Sequence, residues 1–369
     1  MQSNDAKFLA RAIRLAERGL FTTHPNPRVG SVIVRDGEIV GEGFHEQAGG
    51  PHAEAAALAQ AGERARGATV YCTLEPCSYE GRTPSCAKSL VEAGVARVVC
   101  AMLDPHPRNS GAGFRILEAA GITVEFPLME SSAASLNPGH VKRFRTGLPY
   151  VRLKLGMSLD GRTALANGES QWITSIEARR DVQKLRARSS AIVTGVQTVN
   201  DDNPQLNVRE AGLMTKNAAL ASSIRRPVFV LDSNGRVDPG ADLLDNPDCV
   251  LVSTIDHDVH GRAERLRLPP NAEGRVSLRA VLEELARREC NEVLFECGPT
   301  LGASVIRGGY ADEVVVYAAP VMLGSDARGL LRLPKIDNMR DRTEFEFGDI
   351  RRIGPDLRIT LMPKGRPDS

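Results

Sequence analysis

The apolar positions fall into two series of elements. In the first, Phe8, Leu9, Ala12, Ile13 and Ala16 recur at helical spacing behind Ser3-Asn4-Asp5, residues able to cap a helix. Residues 31–35 and 38–40 alternate around Asp36-Gly37, a strong hairpin signal. An Ala- and Leu-rich stretch predicts a helix over 52–61, and the apolar run 69–74 predicts a buried strand. Cys86 opens an apolar helical stretch through Leu90 and Val91. A strand (95–101), a helix (114–120) and a strand (122–126) follow, the alternation of a layered α/β domain.

A polar helical stretch with Lys142 and Arg143 leads into Arg145-Thr146-Gly147-Leu148-Pro149, which reads as a junction between domains at 1–147 and 148–369. The second series opens with a strand over 150–155 that carries Lys154 in apolar surroundings, then a turn at Asp160-Gly161. Thr174 and Glu177 form a capping-box pattern for a helix to about residue 188. Strands are predicted at 191–195, 228–231 and 292–296, and Ser277 caps a helix to about 288. Residues 297–304 turn from strand into helix through Gly298 and Gly302. Backbone amides there suit a pyrophosphate, and a tight structural turn is the competing reading.

A chain of 369 residues suits two domains, each able to bury a core. With 25% charged residues, 42% hydrophobic residues and a net charge of +1, no strong nucleic-acid or membrane partner is expected. No apolar run has the length of a membrane span, and the N-terminus lacks a signal-peptide pattern. Seven cysteines, an odd number, fit a reducing compartment, so a cytoplasmic location is expected. Trp172, the sole tryptophan, stands in a polar, Gly-flanked loop, which favours stacking over a core role.

The densest chemistry lies between residues 52 and 86: His52-Ala53-Glu54, then Glu75-Pro76-Cys77, then Cys86. One imidazole and two thiols are ligands zinc prefers, and three protein ligands leave a position open for water. Zinc lowers the pKa of such a water toward 7, and Glu54 then suits general acid–base work. His-x-Glu followed by Pro-Cys and a later Cys is the pattern of zinc-dependent deaminases. Cys72 could instead complete a four-ligand structural site, but it sits in the apolar run, where a cysteine behaves as a small hydrophobe.

Pro76-Cys77-Ser78, Gly81-Arg82-Thr83-Pro84 and Cys86, with Thr23-His24-Pro25-Asn26-Pro27 and Val29-Gly30 upstream, resemble the deaminase half of the bifunctional riboflavin-biosynthesis deaminase–reductases. The later segments resemble the reductase half of the same family. The resemblance covers essentially the whole chain. It implies an α/β fold, with a cytidine-deaminase-like three-layer domain followed by a dihydrofolate-reductase-like domain. It also implies one zinc per chain on His52, Cys77 and Cys86, with Glu54 as the catalytic acid–base. Asn26, His45 and Arg82 become contacts of a phosphoribosyl pyrimidine. In the second half Gly156, Trp172, Thr198, Asp202 and Ser233 would contact NADPH. Gly298, Pro299, Thr300, Leu301, Gly302, Ala303 and Ser304 would surround its pyrophosphate. Lys154, Ser170, Arg186, Leu206, Arg209 and Glu296 would hold substrate, Lys154 or Asp202 aiding proton transfer.

The implied reactions are deamination of 2,5-diamino-6-(5-phosphoribosylamino)pyrimidin-4-one and NADPH-dependent reduction of the product's ribosyl group; a homodimer is the implied assembly. Tyr79 and His106 depart from the family's more usual His and Asn. Ser233 and Arg236 favour NADPH over NADH, while Asp232 argues the other way. A nucleic-acid base deaminase would want a basic face and stacking aromatics, against a net charge of +1 and 4% aromatics. A zinc-stabilised scaffold would need a fourth ligand and gives Glu54 no role.

Overall fold

The computed structural model describes residues 4–81, 84–256 and 261–365. Two compact units divide the chain, Met1–Leu148 and Pro149–Ser369.

In the first unit the elements are α1 (Asp5–Ala16), β1 (Gly30–Arg35), β2 (Glu38–Phe44), α2 (Ala53–Ala61), β3 (Thr69–Cys72), α3 (Cys86–Glu92), β4 (Arg97–Cys100), α4 (Ala112–Ala119), β5 (Thr123–Glu125), α5 (Glu130–Leu136) and α6 (Pro138–Thr146). The sheet runs β2-β1-β3-β4-β5, with the β1–β2 and β1–β3 pairs antiparallel and β3, β4 and β5 parallel. Strand periodicity divides the core between its two faces. Val70, Cys72, Val98 and Cys100 pack with Ala57, Leu90 and Leu117 of α2, α3 and α4. Tyr71 and Val99 pack with Phe8, Leu9 and Ala12 of α1 on the other. Asn4 takes the cap position of α1 without a side-chain bond. Asp5 does not cap either. It is buried, and accepts both guanidinium bonds of Arg97 (2.9 and 2.8 Å) and the Tyr71 hydroxyl (2.9 Å).

The second unit contains β6 (Tyr150–Ser158), β7 (Arg162–Ala164), α7 (Ile176–Arg188), β8 (Ala191–Gly195), α8 (Val196–Asp202), α9 (Ala218–Ser223), β9 (Val228–Leu231), β10 (Cys249–Ser253), β11 (Glu264–Arg267), α10 (Leu278–Arg287), β12 (Glu292–Glu296), α11 (Pro299–Arg307), β13 (Glu313–Ala319), β14 (Arg328–Gly329), β15 (Phe345–Ile353) and β16 (Asp356–Pro363). Its large sheet runs β11-β10-β9-β8-β12-β6-β13-β16-β15. The strands from β11 to β13 are parallel, and β16 and β15 close that edge antiparallel. The cap of α7 is Ser175, whose hydroxyl accepts from the Ala178 amide, and not Thr174 as the capping-box pattern suggests. Ser175 is fixed there because its amide and hydroxyl both donate to Asp356, a contact no local pattern reveals. At the N-terminal ends of the parallel strands the fully buried Arg152 bonds Glu292 (2.9 Å) and Glu313 (2.7 Å). The C-terminal ends are left for ligands, as in other open α/β sheets.

Among the described residues, no helix is long and apolar enough to cross a membrane.

Candidate active sites

Three loops at one end of the first sheet bring His52, Cys77 and Cys86 together. His52 precedes α2, Cys77 follows β3, and Cys86 is the first residue of α3. Gly41 and Gly43 let α2 lie against β2, since a Cβ on either would meet a helix carbonyl at 2.2 or 2.3 Å. The ligand atoms of the three residues lie within 4.8 Å of one another. His52 Nδ1 is 3.2 Å from Cys86 Sγ and 3.6 Å from Cys77 Sγ. A tetrahedral zinc with bonds of about 2.0 and 2.3 Å requires N···S separations of roughly 3.5 Å, so this donor set fits the ion in chemistry and in spacing. Cys72 is buried in β3 with its Sγ 3.8 Å from Ser31 Oγ, and it is not part of the cluster.

The hydrogen bond from Cys86 draws Cys77 below the ordinary thiol range, with His52 adding to the effect, and the same contact pushes Cys86 upward. Glu54 is buried in the first turn of α2, and burial pushes its carboxyl up to about 7. The charge of Cys77 adds to that shift and His52 opposes it. A carboxyl poised near neutrality can both take and give a proton.

His45 is buried, only 2% exposed, although it stands in a Gly-rich loop of the sequence. Its Nδ1 faces the Pro51 carbonyl at 2.9 Å and its Nε2 faces Asn26 Nδ2 at 3.0 Å. Nδ1 therefore carries the proton and Nε2 accepts from Asn26. The His45 and His52 rings meet edge to face, with centroids 5.3 Å apart. Arg82 lies outside the described residues. The two departures from the family's usual residues meet: the Tyr79 and His106 rings are 6.0 Å apart, His106 packs on Phe144 at 4.4 Å, and the Arg108 guanidinium lies 4.6 Å over Tyr79.

A second site opens at the C-terminal ends of β6, β8, β9 and β12 as a cavity of ≈ 1600 Å³. Lys154, Gly156, Ser170, Trp172, Arg186, Thr198, Asp202, Leu206, Arg209, Ser233 and Glu296 all line it, as do Gly298, Pro299, Thr300, Leu301 and Ser304. Gly302 and Ala303 do not. They lie on the inner face of α11, where a Cβ on Gly302 would meet Leu331 at 2.9 Å, and helical periodicity keeps them from the ligand side. Trp172 is 68% exposed, with the Arg179 guanidinium 3.9 Å over its ring.

The fork of Arg186 is already engaged. Nε and Nη2 donate to Glu296 at 2.6 and 2.9 Å, and Nη1 donates to the Asn207 carbonyl at 3.0 Å. A phosphate would have to displace a buried carboxylate there, so direct phosphate binding by Arg186 is not favoured. Burial lowers the pKa of Lys154, with Glu296 opposing. Asp232 is turned away from the cavity, its Oδ2 accepting the Val237 amide at 2.8 Å. Ser233 and Arg236 remain on the wall.

Sequence reasoning missed Arg179 and Arg275 on that wall. It also missed the buried Glu75, Asn109 and His140 behind Cys77, a set that meets Asp104. For Glu75 a signal existed in its place directly before Pro76-Cys77.

Two family models match. One, the RibD C-terminal domain, covers residues 149–359, and the other, the cytidine and deoxycytidylate deaminase zinc-binding region, covers 2–102. The riboflavin biosynthesis protein RibD of Escherichia coli (strain K12) is 50% identical over 97% of this chain and 99% of its own length. The chain belongs to the RibD family. Among solved RibD-family structures, Acinetobacter baumannii RibD is 42% identical with a TM-score of 0.90, covering 98% of this chain and 99% of that one. The diaminohydroxyphosphoribosylaminopyrimidine deaminase/5-amino-6-(5-phosphoribosylamino)uracil reductase of Thermotoga maritima is 29% identical with a TM-score of 0.84, covering 97% and 98%. Like other members of the RibD family, the chain is a bifunctional riboflavin-biosynthesis enzyme, a zinc-binding deaminase region preceding a reductase region.

Proposed function

We propose that the first unit hydrolyses the 2-amino group of 2,5-diamino-6-(5-phosphoribosylamino)pyrimidin-4-one, and that the second reduces the ribosyl group of the product with NADPH. The observation that carries this reading is the convergence of His52, Cys77 and Cys86 beside a buried, near-neutral Glu54. Zinc on those three residues would supply Lewis acidity and a nucleophile from water at neutral pH. Glu54 takes one proton from the attacking water and passes it to the ring nitrogen, then takes the second from the newly formed hydroxyl and passes it to the amino group, which leaves as ammonia. Asn26, its amide nitrogen held by His45, keeps Oδ1 to accept from the heterocycle's N–H groups.

In the second unit the cofactor carries the hydride and the protein positions it. The turn at Gly298 offers the first amides of α11 to a pyrophosphate. Ser233 and Arg236 suit the 2′-phosphate of NADPH, and Asp232 is not on the cavity wall. Arg209 supplies the cation for the substrate phosphate, while Arg186 holds Glu296. Lys154 or Asp202 moves the proton.

Seven cysteines, with no disulfide among the described residues, favour a cytoplasmic setting. Phe347, Ile350 and Leu357, left exposed on the edge hairpin β15–β16, favour a second copy of the chain as partner. The decisive experiment is incubation with the diaminopyrimidine, with and without NADPH, following products by mass. Loss of one amino group without cofactor and gain of two hydrogens with it are expected. A substrate left unchanged refutes the reading.

A further inference from the structure

We infer that Asn109 is a positioning residue for the Cys77 thiolate, an inference that rests on the zinc reading above. The peptide group joining Cys77 to Ser78 is planar, so its C=O and N–H point in opposite directions. Both ends are held. The Cys77 carbonyl accepts the Ser85 hydroxyl at 2.8 Å and the Ala87 amide at 3.1 Å, from the start of α3. The Ser78 amide donates to Asn109 Oδ1 at 2.8 Å, from the loop that follows β4. Fixing this plane from two sides fixes the direction in which the Cys77 side chain leaves the backbone.

Asn109 can act as a strut because its own orientation is determined. It is 1% exposed, and its Nδ2 donates to Asp104 Oδ2 at 3.1 Å and reaches the Glu75 carbonyl at 3.5 Å. The acceptor end must therefore face Ser78. Asp104 is held in turn by His140 Nε2 at 3.0 Å and the His106 amide at 2.9 Å. On the other flank of Cys77, the Glu75 carboxylate accepts the amides of Asp104 (3.2 Å), Gly111 (3.0 Å) and Gly113 (2.8 Å). Gly113 must be glycine for this approach, since a Cβ would lie 2.0 Å from the Pro76 carbonyl. The segment is thus clamped before Pro76 by Glu75 and after Cys77 by Asn109. Without the second clamp the thiolate must be ordered when metal binds, and the cost falls on affinity.

The test is the zinc dissociation constant of the full chain, measured by competition with a chromogenic chelator. Asn109→Leu keeps the bulk and removes all three side-chain hydrogen bonds; zinc binding should weaken about 10–100-fold, the usual effect of losing a group that orients a ligand. Asn109→Asp combined with Asp104→Asn keeps the acceptor for Ser78 and reverses the donor–acceptor pair behind it, so it should fall between wild type and the Leu variant. Purely structural importance would lower the melting temperature of metal-free and zinc-loaded protein alike and leave the dissociation constant unmoved. A Leu variant within about twofold of wild type, or a double variant no better than Leu, overturns the inference. If the Leu variant does not fold, Asn109→Ala decides on the same constant: weakened binding supports the strut and wild-type affinity refutes it. Wild type that binds no zinc defeats the zinc reading itself, and the inference with it.

Discussion

The two sites are built in opposite ways. The zinc-type site draws its chemistry from one stretch, His52 to Cys86, on three loops of one sheet end. The reductase cavity collects its wall in short pieces scattered from Lys154 to Ser304 and beyond. A metal demands a few donor atoms of fixed type within a few ångströms, so its residues are chemically distinctive wherever they occur. A dinucleotide is held over a long surface largely by backbone groups and ordinary polar side chains. The first kind of site concentrates its information and the second disperses it. Single substitutions should therefore be catastrophic in one and graded in the other.

The largest effect is expected at Glu54. Glu54→Gln cannot carry the proton, so deamination should fall about 10²–10⁴-fold. Zinc should stay at one per chain, and reduction of the deaminated intermediate should be unchanged. Near-normal deaminase turnover would remove Glu54 from its role. In the same site, Cys77→Ser should lose most of its zinc by metal analysis while Cys72→Ser retains it. The opposite pattern would move the ligand set to Cys72.

Next comes the buried ion pair of the second site. Glu296→Gln leaves Arg186 without its carboxylate, which should cost about 3 kcal/mol in the denaturation of this unit. The pH dependence follows from the sign of the shift. Burial alone would raise the Glu296 carboxyl, but Arg186 and Lys154 outweigh it and hold the group below 4.5. The stabilisation is thus complete above about 4.5 and is lost as pH falls through the lower, folded-state value. Wild type and variant should converge in acid; an equal gap at pH 7 and pH 3 would contradict the pairing.

The smallest effect is expected at the cofactor's outer end. Arg236→Ala should raise KM for NADPH about tenfold, the equivalent of one charge-assisted hydrogen bond, and leave KM for NADH unchanged. An unchanged preference would confine the error to Arg236, while a wild type indifferent to the two cofactors would remove NADPH selectivity altogether.

Much of the local structure was legible. Asp36-Gly37 marks a real hairpin, and the alternation from residue 69 to 126 is a layered α/β unit. Less could be read where distant partners decide. Ser175 rather than Thr174 caps α7 because Asp356 holds it. Asp5 gives up a capping role because Arg97 and Tyr71 bind it. Strands β10, β13, β15 and β16 carry no motif, and their pairing depends on residues far along the chain.

What the sequence alone determined about this protein is its chemistry: zinc-type donors, a spare carboxylate beside them, and the order of two catalytic halves. Those depend on residue identity, which is written locally. What only the tertiary structure decided is how each group is employed. Arg186 is paired with Glu296, Gly302 and Ala303 face the core, and Asn109 lies behind Cys77. The physical reason is that a polar group buried on folding must find a partner, and the partner that reaches it is set by packing between segments distant in sequence.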